Sequence, residues 1–100
     1  MKLWVDDIRP APDLSYFVMP SVNLAKEYIL YCEKIGRPIE LIDLDYDSGD
    51  YEKDGGPYIK LMDWLVERGT LYPLAFHSQN CVGMEYMKRM YRRYWLGESL

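Results

Sequence analysis

The sequence predicts an α/β domain built on a mostly parallel sheet. Three observations predict it. Short apolar segments alternate with longer segments of helical period, the short segments end on polar residues, and all of this fits within 100 residues. Strands alternating with helices imply parallel pairing and right-handed crossovers. A chain of this length is read as one domain, 1–100, with room for a single core. Its 49% hydrophobic content excludes a disordered chain.

The elements follow in order. Lys2–Val5 is a short apolar run ending on Asp6-Asp7, so it reads as a buried strand that delivers two acids at its C-terminal end. Pro10 and Pro12 then exclude a regular helix. Tyr16–Met19 is aromatic and β-branched and stops at Pro20, which makes a second strand. Ser21 can cap a helix whose inward stripe is Val22, Ala25, Tyr28/Ile29, Cys32 and Ile35. Gly36 ends it and Pro38 prevents its extension.

Ile39–Leu44 is the next strand and delivers Asp45 and Asp47. Asp43 alternates with Ile42 and Leu44, so it faces the opposite side of the sheet or a neighbouring strand's end. Ser48–Pro57, with Gly49, Gly55 and Gly56 among acids, reads as a loop. Tyr58–Arg68 is a helix with Ile59, Met62, Leu65 and Val66 inward, closed by Gly69. Leu74–Phe76 is the last strand and runs into His77-Ser78. After Asn80 a final helix carries Met84, Met87, Tyr91, Tyr94 and Trp95 on its inner side. Trp4, Phe17, Trp64 and Phe76 complete the inward aromatics, while Tyr46, Tyr51 and Tyr58 flank the acidic loop and are placed to touch a ligand.

Composition narrows the function classes. The net charge of −4 argues against binding duplex DNA. The basic residues Lys88, Arg89, Arg92 and Arg93 gather on the last helix and read as a solvated face or a contact for a phosphate-bearing partner. Two distant cysteines, Cys32 and Cys81, with one histidine cannot build a Cys/His zinc site. No apolar run approaches the ~18 residues that span a bilayer, and no basic-then-apolar leader opens the chain. The expectation is a cytoplasmic protein without membrane contact.

The acids carry the chemistry. Asp6-Asp7, Asp43/Asp45/Asp47 and His77-Ser78 all fall where strands finish, and ligands of open parallel sheets bind at that edge. Carboxylates held so close repel one another unless their pKa values split or a cation bridges them. A hard divalent ion with oxygen ligands, such as Mg²⁺, resolves the repulsion. His77, the sole histidine, is placed to act as a general acid or base or to donate to a phosphoryl oxygen.

This pattern resembles a receiver domain, the phospho-accepting module of two-component signalling: Asp6-Asp7 after the first strand, Asp45 after the central strand, Ser78 after the next. It is more closely similar to the cyclic-phosphate processing receiver domain family. The motifs are Trp4-Val5-Asp6-Asp7-Ile8-Arg9-Pro10, Ile42-Asp43-Leu44-Asp45-Tyr46-Asp47-Ser48-Gly49 and His77-Ser78-Gln79-Asn80-Cys81-Val82-Gly83. The resemblance runs from Lys2 to about Tyr94. It departs at Tyr46, Ser48 and Cys81, where members often carry His, Leu and Pro, and no fifth strand brings the lysine of ordinary receivers.

The resemblance implies a three-layer, truncated receiver or flavodoxin-like fold of about four strands in order 2-1-3-4 with about three helices. It implies Asp6, Asp7 and Asp45 as ligands of Mg²⁺ or another divalent cation. Asp45 and His77 become the catalytic pair, and Arg9, Asp47, Ser78 and Asn80 become contacts to phosphate or substrate. The function implied is a metal-dependent phosphoesterase acting on the cyclic phosphate of a nucleotide or an RNA end. The alternative is an inactive receiver-like binding or regulatory module that contacts a protein or a phosphate ligand.

Overall fold

The computed structural model describes residues 1–98. Four strands, β1 (Lys2–Val5), β2 (Tyr16–Met19), β3 (Leu41–Leu44) and β4 (Leu74–Phe76), form one sheet in the order β2-β1-β3-β4. Every neighbouring pair is parallel. Three helices follow the strands: α1 (Val22–Ile35), α2 (Ile59–Arg68) and α3 (Cys81–Met90). A π-helical turn over Tyr91–Trp95 prolongs α3, and a 3₁₀ turn over Gly49–Lys53 lies within the acidic loop. This is the receiver-like α/β arrangement that the sequence predicts. None of the described helices is long and apolar enough to cross a membrane.

Alternation along the strands sorts the two faces of the sheet. Leu3, Val5, Ile42, Leu44 and Leu74 join one core with Val22, Ala25, Ile29 and Cys32 of α1, Leu61, Met62 and Leu65 of α2, and Met87 of α3. All three helices therefore cover the same face, as right-handed crossovers running β2 to β3 and β3 to β4 require. The β1–β2 crossover runs the other way and belongs to the opposite face. Its prolines exclude a helix, so irregular chain forms that layer. Trp4 fastens it there, its indole Nε1 donating to the Arg9 carbonyl at 2.9 Å.

Local chemistry sets the ends of α1. The Ser21 hydroxyl accepts from Leu24 N–H at 3.1 Å and donates to Asp54 Oδ2 at 2.6 Å, so one residue caps the helix and anchors the loop after β3. Asn23 adds a side-chain bond to Asp54 Oδ1, 3.1 Å, and its backbone N–H bonds the Asp54 carbonyl, 3.0 Å. At the far end Gly36 is left-handed and Arg37 N–H returns to the Cys32 carbonyl at 2.8 Å.

Several expectations need correction. β3 begins at Leu41 rather than Ile39, because Glu40 N–H bonds the Met1 carbonyl and in-register pairing starts one residue later. Ile35 is 52% exposed. The buried stripe runs 22, 25, 29, 32, and its next step at i+4 is the capping Gly36, so Ile35 lies beside the stripe. Phe17 is also exposed, on the edge strand, where Tyr28 and the Arg37 guanidinium only partly cover it. Tyr94 is exposed as well, on the π-helical turn. The difference has an energetic consequence. Ile29→Ala is expected to cost about 2–5 kcal/mol and Ile35→Ala no more than about 0.5 kcal/mol, read from urea unfolding. Equal costs would contradict the placement of the stripe.

Candidate functional site

Register brings the polar strand ends together. Val5 pairs with Leu44, and Leu44 with Phe76, so β1, β3 and β4 finish flush. The ladder then runs one step further: Asp45 N–H donates to the Val5 carbonyl and His77 N–H to the Leu44 carbonyl, each at 2.9 Å. Asp6, Asp45 and His77 thus leave the sheet side by side. The period of two gives them the parity of Trp4, Asp43 and Ala75, on the face away from the helices.

On that face His77 is held on three sides. Nε2 lies 2.8 Å from Asp6 Oδ2 and Nδ1 lies 2.6 Å from Asp43 Oδ1. The ring stacks on the Trp4 indole, centroids 3.7 Å apart and planes 6° apart. An ionised carboxylate only accepts, so two such partners require both ring nitrogens to donate. Burial pulls the His77 pKa down, but the hydrogen bonds and charges of Asp43 and Asp6 outweigh it and the net shift is upward. The Trp4 face adds a cation–π surface beneath the ring.

Asp6 is the hub. Its side chain is fully buried, and Oδ1 accepts from the Ile8 and Arg9 N–H groups at 2.9 and 3.1 Å. Burial pushes its pKa up, yet those two N–H groups and His77 together hold it below the ordinary carboxylate value. Asp7 behaves oppositely. Burial, and beyond it the negative charges of Asp6 and Asp45, push its carboxyl up. The same dipeptide therefore contributes one stabilised anion and one strained one.

Asp6, Asp7 and Asp45 each offer a ligand atom, all within 4.8 Å of one another. The donor set is three carboxylate oxygens, which suits a hard cation such as Mg²⁺. Asp45 Oδ1 accepts from Tyr46 N–H at 2.7 Å, which leaves Oδ2 for another partner. Asp6 keeps about one of its four acceptor positions after Ile8, Arg9 and His77 are counted. Gly49 is left-handed at φ +53°, and a Cβ there would come 2.2 Å from Asp7 Oδ2. The loop backbone thus cradles the Asp7 carboxylate where a side chain would displace it. Donor type, spacing and this cradle all fit a divalent cation.

The other residues singled out from sequence stand around this cluster. Arg9 meets it through its backbone: its N–H donates to Asp6 and its carbonyl accepts from Trp4. Asp47 is exposed, and its Oδ2 accepts from Asn80 Nδ2 at 3.3 Å. Asn80 caps α3, its Oδ1 accepting from Gly83 N–H at 2.9 Å, and Ser78 Oγ accepts from Asn80 N–H at 3.0 Å. Tyr46 packs its ring on Gly83, where an added Cβ would fall 2.3 Å from the ring. Tyr58 does not flank the loop as a ligand contact. It is fully buried, its hydroxyl donates to the Pro20 carbonyl at 2.6 Å, and burial pushes its pKa far up. The partners that sequence reasoning missed are Trp4 and Asp43 as neighbours of His77. Their shared parity was the available signal, but it acquires meaning only once the register of three strands is known.

A receiver-like α/β fold with an acidic pocket at its strand ends is thus the class that fold and site define. The family model of the cyclic-phosphate processing receiver domain matches residues 1–93. The chain belongs to that family. No curated protein and no solved structure matches it.

The bridge around His77 dictates a pH dependence. Its folded-state pKa lies above the ordinary 6.5, so the stability it adds is complete below 6.5 and is lost as pH rises through the elevated value. Asp6 adds stability that is present above the ordinary 3.8 and lost as pH falls through its depressed value. Urea unfolding between about pH 5 and 9 should show declining stability on the alkaline side, and a shallower decline in Asp43→Asn. Identical profiles would remove Asp43 as a partner of the imidazolium.

Proposed function

We propose that this domain is a metal-dependent phosphoesterase acting on the cyclic phosphate of a nucleotide or RNA end. The observation that carries this reading is the convergence of Asp6, Asp7 and Asp45 to within one ion's coordination span. Those three carboxylates would hold Mg²⁺ or another divalent cation. When bound, such an ion neutralises charge that develops on phosphoryl oxygens.

The chain's own residues do the rest. Asp45 takes a proton from an attacking water. A P–O bond to that water's oxygen forms, one P–O bond of the ring breaks, and the released sugar oxygen receives the proton that Asp45 removed, leaving a phosphomonoester. Asp6 is oriented by Ile8, Arg9 and His77 before any ligand arrives, so no ordering cost falls on binding. His77 has both nitrogens engaged. Its role in this reading is to hold Asp6 and offset its charge, in place of the proton donation that its position in the sequence suggests. Asn80 and Asp47, joined by a 3.3 Å hydrogen bond, would contact the phosphate or its sugar in this reading.

One observation favours a second reading, a binding module without turnover. The imidazolium that could protonate a leaving oxygen is committed to two carboxylates. A single assay separates the two. Incubation with 2′,3′-cyclic nucleotide and Mg²⁺ or Mn²⁺ should yield a phosphomonoester, and Asp45→Asn should reduce the rate about a hundredfold or more. Binding of the nucleotide without turnover would select the second reading. Turnover that survives the substitution would remove Asp45 from the chemistry.

A further inference from the structure

Ser48 lies where a polar side chain has no evident use in the free protein. The residue is 2% exposed, and its hydroxyl is shielded from solvent with no hydrogen-bond partner among the described residues. It stands at the start of the 3₁₀ turn but makes no capping bond with its side chain; only its carbonyl is used, by Tyr51 N–H at 2.9 Å. A buried hydroxyl left unpaired is a net cost to folding, one that an alanine would avoid. Such a group is explained when a ligand, an ion or an ordered water completes it.

Its position in the loop indicates which. Ser48 directly precedes Gly49, the residue on whose backbone the Asp7 carboxylate rests. It also lines a cleft of about 320 Å³ with Asp47, Gly49, Glu52 and Pro57. The orphaned hydroxyl therefore belongs to the residue next to Gly49, whose backbone leaves room for the Asp7 carboxylate. Groups that surround a metal's direct ligands are themselves hydrogen-bonded, and they orient the bound ion and its water.

We infer that Ser48 is a positioning residue of the acidic pocket, its hydroxyl finding its partner only when the pocket holds a hydrated divalent cation. The inference rests on the reading of Asp6, Asp7 and Asp45 as cation ligands. It adds that the loop after β3 is built for the loaded state and is incompletely satisfied without it. Occupancy of the pocket and order in the Ser48–Gly49 segment then rise together.

Two measurements on the full chain test this, with Mn²⁺ as the probe. Urea unfolding in chelator reports the free protein, and calorimetric titration reports the cation. Ser48→Ala should be as stable as the parent or more so without metal, and should bind Mn²⁺ about tenfold more weakly. A free Ser48→Ala chain less stable than the parent would overturn the inference, since the hydroxyl would then serve a resident water or a structural bond. Unchanged Mn²⁺ affinity would overturn it while leaving the acidic site intact. A parent chain that fails to bind Mn²⁺, or that binds no better than Asp45→Asn, would overturn the cation reading and this inference with it.

Discussion

The bridge from Asp6 through His77 to Asp43 is the interaction on which the rest depends. It joins the ends of β1, β3 and β4, the three strands that deliver the polar edge. Without a positive charge between them, Asp6 and Asp43 would be two carboxylates drawn out of water toward the same ring. Burying unpaired charge costs several kcal/mol per ion, enough to disorder a domain of marginal stability. The imidazolium removes that cost for Asp6, and the Ile8 and Arg9 N–H groups take two more of its acceptor positions. Trp4 supplies the floor and also pins the irregular β1–β2 connection, so the same indole supports both the site and the layer that covers it.

Asp7 and Asp45 each bring a carboxylate oxygen to within 4.8 Å of Asp6. Burial, and beyond it the charges of Asp6 and Asp45, make Asp7 hold its proton more tightly than an ordinary carboxyl. The fold has thus divided its acids into a pair bridged by His77 and an open cluster of three, the two sharing Asp6. The open group faces the loop after β3, where the Gly49 backbone leaves space for it and the Ser21–Asp54 link ties the loop to α1.

Much of the scaffold was legible because punctuation is local. Ser21, Gly36, Gly69 and Asn80 mark helix ends by φ preference or side-chain capping, and Pro20 and Pro38 bound their segments. The convergence of three polar strand ends followed from parallel topology alone. Less legible was anything set by register or by rotation about a helix axis. Asp43 was recognisable as facing away from Ile42 and Leu44, but its partner lies 34 residues later, on β4's extension. Tyr58 follows the acidic loop in sequence and yet turns into the core, because the start of α2 aims it at the Pro20 carbonyl. Ser48 stood out in sequence only as a departure from the resembled family, since an unpartnered hydroxyl can be recognised only in three dimensions.

The central claim is that His77 is a charged bridge. Nitrogen-detected NMR of the His77 ring tests it most directly, because the chain has a single histidine. At pH 6.5, where an ordinary imidazole is half charged, more than half of the rings should carry protons on both Nδ1 and Nε2. A majority of rings protonated on one nitrogen only at that pH would contradict the account.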